Sequence, residues 1–192
     1  MMGIGLDLST DADMAAIAVA SAEGGRNLVD VAWYGSPDLV VAEASRLYSE
    51  TDNVGVFIDP LPAAGVLDAL RAAGVWLHEL AALDVSAAQW QYVTEVRARR
   101  VTGGRHPALR EAMRAAAPRN RAVRFMFERR QAVDQCPLNA AAHALWGLRK
   151  NEGLSEPGAW VIGDGPGGGQ AGARDQDWRN WPNGIPPWVQ RQ

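Results

Sequence analysis

Seven residues near the start of the chain, Gly3-Ile4-Gly5-Leu6-Asp7-Leu8-Ser9, restrict the fold more than any other stretch. Ile4, Leu6 and Leu8 alternate with Gly5 and Asp7, the period of two that marks a strand with two different faces. The polar turn Thr10-Asp11-Ala12-Asp13 and the apolar run Met14 to Ala20 predict a second strand running back. Asp7 is the odd residue. A carboxylate in the middle of an apolar strand must be solvated, paired with an arginine or bound to another cation, because burying it bare is too costly. Gly5 on the same face leaves room for something bulky or charged to approach it.

Downstream the pattern alternates between strand and helix. Asn27 to Gly35 reads as a third strand, carrying Leu28, Val31 and Trp33. Ser36-Pro37-Asp38 reads as a helix start with Ser36 as N-cap and Pro37 in the first helical position, and Leu39 to Glu50 as the helix. Val54, Val56 and Ile58 then share one face of a fourth strand and Gly55, Phe57 and Asp59 the other, with Pro60 as the stop. A helix over Ala63 to Ala73, closed by Gly74, leads to a fifth strand at Val75 to Leu80. Asp84 caps a helix from Val85 to about Arg100, and Thr102-Gly103-Gly104 breaks the chain. A short helix from His106-Pro107 to Ala117 follows, then a partly alternating strand, Arg121 to Arg130, with Val123, Phe125 and Phe127 on one side. Asp134 precedes a last helix, Pro137 to Lys150, with an apolar stripe of Leu138, Ala141, Ala142, Leu145 and Trp146.

Residues 1–150 thus read as one α/β domain. Three strands in a meander followed by crossover helices call for a mixed five-stranded sheet, antiparallel first and parallel afterwards, flanked by helices. The remainder, 151–192, changes character. It is rich in Gly and Pro yet carries Trp160, Trp178, Trp181 and Trp188, and reads as a flexible tail that docks onto something. One cysteine, Cys136, excludes an internal disulfide framework, and no apolar run reaches the length of a membrane span. With no leader pattern after Met1, a cytoplasmic protein without membrane partners is expected.

Charge is unevenly spread. Between Arg97 and Arg130 eleven arginines face only Glu111 and Glu128, a local excess of +9 in a chain whose formal total is −3, so the rest carries −12. An acidic region beside an arginine-rich, lysine-free one suits phosphate recognition, since guanidinium forks match phosphate geometry. Arg97, Arg99, Arg100, Arg105, Arg119, Arg121 and Arg124 are the candidate DNA-backbone contacts. A solvated arginine-rich helix face is the plainer alternative.

If the fourth strand lies parallel to the first and beside it, Asp7 and Asp59 share one face of the sheet. If the helix after Asp134 crosses that face, three carboxylates converge. Hard oxygen ligands with nothing softer select Mg²⁺ or Mn²⁺ over zinc, and two such ions serve phosphodiester hydrolysis. Asp11 and Asp13 are turn residues that could add a ligand, as could Asp84, and Glu79 is a weaker candidate. His78, His106, His143 and Cys136 read as structural or surface residues, with no Cys/His spacing for zinc.

Several stretches together resemble the nuclease domain of phage terminase large subunits. They are the strand pair around Asp7, Val56-Phe57-Ile58-Asp59-Pro60, Ala73-Gly74-Val75, His106-Pro107-Ala108-Leu109, Val133-Asp134-Gln135-Cys136-Pro137-Leu138-Asn139-Ala140-Ala141 and Ala144-Leu145-Trp146-Gly147. The likeness runs from about Gly3 to Leu148. It implies a ribonuclease H-like fold, metal-dependent endonuclease cutting of concatemeric double-stranded DNA during genome packaging, and an acidic triad mapping onto Asp7, Asp59 and Asp134. The chain has no Gly-x-x-x-x-Gly-Lys-[Ser/Thr] loop: Gly163-Asp164-Gly165-Pro166-Gly167 lacks the lysine. The expectation is therefore a nuclease module without its own ATPase, partnered by a separate terminase ATPase, the small terminase subunit and the portal. Two other readings share these residues: a Holliday-junction resolvase-type nuclease, and a non-catalytic DNA-binding or packaging module.

Overall fold

A computed structural model describes residues 1–121 and 124–151, without the side chains of 118–124. The tail expected over 151–192 therefore lies, beyond Asn151, outside the described residues. Val123 is outside them too, as are the side chains of Arg119, Arg121 and Arg124.

The opening alternation forms β1 (Met2–Leu8), which pairs antiparallel with β2 (Ala15–Glu23), and β2 pairs antiparallel with β3 (Arg26–Gly35). α1 (Pro37–Glu50) then carries the chain back to β4 (Asn53–Ile58), which lies parallel to β1 and beside it as expected. After α2 (Leu67–Ala72), β5 (Leu77–Glu79) extends the sheet on β4's free side. α3 (Ala82–Arg97) leads to β6 (Val101–Gly103), which adds parallel to β3 at the opposite edge. The sheet is therefore mixed but six-stranded, in the order β5-β4-β1-β2-β3-β6. The stretch read as a chain break at Thr102-Gly103-Gly104 contains the sixth strand. Three residues are too short for a periodic signal, and at Gly103, with φ +121°, an added methyl group would fall 2.0 Å from the Val29 carbonyl oxygen, which excludes a side chain.

α4 (Pro107–Ala115) precedes a separate hairpin of β7 (Pro118–Arg121) and β8 (Arg124–Phe127), and α5 (Cys136–Asn151) follows. Helix starts differ in detail from the sequence reading. Ser36 stands at the N-cap of α1, but its hydroxyl bonds Asp38 rather than the helix backbone. Asp84 is not a cap: α3 begins at Ala82, and Asp84 sits in its first turn facing Lys150 at 3.7 Å.

Alternation along β1 sorts the core into two layers. Ile4, Leu6 and Leu8 pack with Ile17, Val56 and Ile58 beneath Val40 and Ala44 of α1 and Leu70 of α2. On the other face Ala16, Ala18, Val29 and Val31 meet Tyr92 of α3, Leu109 of α4 and Leu138, Ala141 and Leu145 of α5. Twelve of the sixteen residues of α5 are buried, so it is a central helix with almost no polar face. Its alanines let it lie directly on β1. A methyl group built on Gly5 would fall 2.0 Å from the Ala140 carbonyl oxygen, and one on Gly147 would enter the Phe57 ring. The space beside Asp7 that Gly5 leaves is filled by this helix.

Candidate active site

Asp7 and Asp59 stand at the carboxyl ends of the two central parallel strands. Leu6 pairs with Ile58 in the β1–β4 register, so the next residue along each strand is one of the two aspartates. Both are buried, Asp7 completely. Crevices at the carboxyl ends of parallel strands are where open α/β sheets collect functional side chains.

One guanidinium answers both. Arg129 Nη2 donates to Asp7 Oδ1 at 2.8 Å and to Asp59 Oδ2 at 3.4 Å, while Nη1 donates to the Leu8 carbonyl at 3.2 Å. The second oxygen of Asp7 accepts from the Asn139 side-chain amide at 3.0 Å, and that of Asp59 from the Leu61 backbone N–H at 3.1 Å. Burial pushes the Asp7 carboxyl above its ordinary range, and Arg129 and Asn139 oppose that rise. An arginine pair was one of the three possibilities for Asp7 from sequence, and the chain contains it.

Asn139 belongs to a buried polar chain. The Phe127 backbone N–H donates to Gln89 Oε1 at 2.9 Å, Gln89 Nε2 donates to Asn139 Oδ1 at 2.9 Å, and Asn139 donates to Asp7. Gln89 and Asn139 are both fully buried, which gives each amide a fixed orientation. β8, α3, α5 and β1 are thereby tied to one carboxylate.

Asp134 stands on the approach to α5, close enough for its charge to disfavour ionisation of Asp7. Its own oxygens are engaged elsewhere: Oδ1 accepts from the Cys136 backbone N–H at 2.9 Å, and Oδ2 from the Cys136 thiol at 2.9 Å and the Tyr34 hydroxyl at 3.3 Å. Burial and the neighbouring carboxylate push both the Cys136 thiol and the Tyr34 phenol up, so each stays protonated and donates. Among the described residues no three His, Cys, Asp or Glu side chains are grouped so as to hold one metal ion.

The donor chemistry nevertheless suits a single hard cation between Asp7 and Asp59. Two carboxylates already surround one positively charged nitrogen, and their distances to it are those of hydrogen bonds rather than the roughly 2.0–2.1 Å of Mg²⁺ coordination.

Several other candidates have structural partners. Ser9 bonds Asp13, and Arg71 holds Glu79. His106 caps α4, its Nδ1 accepting from Ala108 N–H. His78 stacks on Phe57 with ring centroids 4.4 Å apart. His143 is fully buried with Nδ1 3.3 Å from the Leu6 carbonyl, and burial, with Arg129 nearby, depresses it to about 4.

The arginines spread over a long arc. Asn27 on β3 pairs with Val101, while Tyr34, seven residues on, pairs with Ala16, which in turn faces Asp7. At about 3.3 Å per residue, the backbone at Arg100 lies roughly 20 Å along the sheet from the level of Asp7. Arg100 forms a two-point pair with Glu95, at 2.9 and 2.7 Å, which Arg149 also approaches. Arg97 ends α3, and Arg99 occupies a left-handed turn at φ 58°. Arg105 is exposed, its backbone N–H held by Asp30. Sequence reasoning counted Arg129 among eleven arginines without singling it out, and missed Asn139 and Gln89. Asn139 lies inside the stretch that carried the family resemblance, the one signal that pointed near it.

In three dimensions the chain is similar to several solved proteins. It matches the HK97 bacteriophage large terminase with a TM-score of 0.62 and 17% identity, over 76% of this chain and 39% of that one. The large terminase nuclease from thermophilic phage G20c matches at 0.61 and 14% identity, over 75% of this chain and 80% of that one. The Thermus phage P74-26 large terminase nuclease domain matches at 0.56 and 14%, over 75% and 77%. At these identities the common feature is the fold. The chain spans about two-fifths of the HK97 protein and most of each isolated nuclease domain. No protein-family model matches the sequence, and no curated protein matches it. Among the described residues no helix is long and apolar enough to cross a membrane.

Proposed function

We propose that the chain is a metal-dependent endonuclease module of the terminase type, acting on double-stranded DNA during genome packaging. The observation that carries this reading is the buried Asp7–Asp59 pair at the carboxyl ends of adjacent parallel strands, in a fold similar to terminase nucleases. Burying two carboxylates side by side is unfavourable unless a cation compensates them, a role that Arg129 fills in this structure and that a metal ion could fill in its place. Asp7 and Asp59 would hold a Mg²⁺ or Mn²⁺ ion, and Asp134 would serve a second ion or the substrate side of the first. When bound, such an ion supplies Lewis acidity and a water of lowered pKa for phosphodiester hydrolysis. The chain's own residues do the positioning: Asn139 and Gln89 fix the Asp7 carboxylate, and the Leu61 N–H fixes that of Asp59.

DNA would be held by arginines of the 97–130 segment. Arg99, Arg105, Arg110 and Arg130 are exposed, with Arg97, Arg100, Arg119, Arg121 and Arg124 as further candidates. An ATPase, a small terminase subunit and a portal would be the protein partners, in the host cytoplasm. A non-catalytic DNA-binding role is favoured by one observation: all three aspartates already have protein donors.

Nicking and linearisation of supercoiled plasmid with Mg²⁺ or Mn²⁺ separates the two. Metal-dependent cutting that disappears in Asp7→Asn and Asp59→Asn supports the nuclease. A gel shift without cutting, equal in wild type and variants, leaves a binding module.

A further inference from the structure

We propose that Arg129 is an internal placeholder cation, and that a divalent ion enters the site by displacing it. This rests on the metal-site reading of Asp7 and Asp59. Arg129 Nη2 lies within hydrogen-bonding reach of both carboxylates, the position that a shared metal ion would take. Guanidinium and ion cannot both sit there, since each would face the other's charge across a few ångströms in a dry site. Arg129 also has somewhere to go. It follows β8 in a stretch, Glu128 to Gln135, that is neither helix nor strand. Its side chain is 19% exposed while that of Asp7 is wholly buried, so the arginine reaches the pair from the solvent side.

The chemistry explains why such a device belongs here. Without metal, two adjacent buried carboxylates repel each other, and the domain would lose stability or protonate one of them. Arg129 neutralises the pair and keeps it assembled, at the cost of weaker metal affinity. Its third hydrogen bond, to the Leu8 carbonyl, fixes the guanidinium to the end of the same strand.

The test is Mn²⁺ binding, followed by the electron paramagnetic resonance of free Mn²⁺, with thermal unfolding in the presence and absence of the ion. Wild type is compared with Arg129→Gln, Arg129→Lys and Asp59→Asn. Arg129→Gln should bind Mn²⁺ at least about tenfold more tightly than wild type, melt at lower temperature without metal, and recover more of its melting temperature on adding it. Arg129→Lys keeps the charge and so the fold, but replaces the planar two-nitrogen fork with a single point charge; its affinity should fall between those of wild type and Arg129→Gln. Equal or weaker Mn²⁺ binding by both Arg129 variants, with Asp59→Asn still abolishing it, would overturn the placeholder role and leave the metal site standing. Binding that is absent from wild type and every Arg129 variant would overturn both. Should Arg129→Gln fold only with Mn²⁺ present, that dependence is itself the expected result, and the lysine variant then carries the affinity comparison.

Discussion

Gly5→Ala should be among the most damaging single-methyl changes in this chain. The added carbon would lie 2.0 Å from the Ala140 carbonyl oxygen and 2.4 Å from the Ala144 nitrogen, where ordinary contacts begin at 3.4 Å. Both atoms are helix backbone, so no rotamer change relieves the clash; α5 must withdraw from β1 by more than an ångström. A radial gap of about 0.5–1 Å already forfeits a quarter to a half of the contact energy across it. The buried residues of α5 that face β1 lie across that gap, and its withdrawal also stretches the Asn139–Asp7 bond. Overpacking commonly costs about 1–3 kcal/mol; with the polar chain strained as well, about 3–5 kcal/mol is expected here. For a domain of this size that lowers the melting temperature by roughly 10 °C. Urea unfolding of Gly5→Ala is compared with Gly65→Ala, whose added methyl would meet nothing within 4 Å. If the two variants unfold within about 0.5 kcal/mol of each other, α5 does not lie on β1 as described and the site built between them falls too.

Other expectations can be checked alongside it. His143 is held at about 4 in the folded chain against an ordinary value near 6.5. Between those values the unfolded chain binds the extra proton, so this group's contribution to stability is complete above pH 6.5 and is lost as pH falls toward 4. About 2 kcal/mol should disappear between pH 7 and pH 4.5 in urea titrations of wild type, and that part of the loss should be missing in His143→Gln. Replacing Arg105, Arg110 and Arg130 together by Gln should weaken binding to random-sequence duplex DNA uniformly. The slope of log affinity against log salt should fall by about 0.9 for each arginine that contacts a phosphate; an unchanged slope would remove these three arginines from the interface.

The parts of the fold legible in the sequence are those with a local repeat. Alternation at Ile4, Leu6 and Leu8, and again at Val56 and Ile58, marked the strands that carry Asp7 and Asp59, and the crossover helix between them made a parallel pairing the simplest arrangement, which the register shows. β6 was invisible because its pairing is decided by the Val29 backbone, not by its own three residues. The cap assigned to Asp84 failed because acidic residues suit both an N-cap and a first turn, and the two differ by a few positions. Asp134 was read as a third ligand from its place before α5; that Tyr34, a hundred residues away in sequence, shares its carboxylate left no trace in the sequence. The same limit hid Arg129 and Gln89: a hydrogen bond across the sheet leaves no periodic trace in either partner.

The placement of α5 also bears on the order in which the chain can mature. The helix that covers β1 is the last described element, and the Asn139–Asp7 bond joins residues 132 apart in sequence. During synthesis, at about 5–20 residues per second, β1 to β6 can emerge well before their cover does. Until α5 leaves the ribosome, Gly3, Gly5 and Asp7 lack their cover and the carboxylate pair lacks Asn139. Contacts of such long range are slow to close. The catalytic candidates are thus assembled last, and a chain released before α5 would carry the strands of a nuclease fold without a working centre.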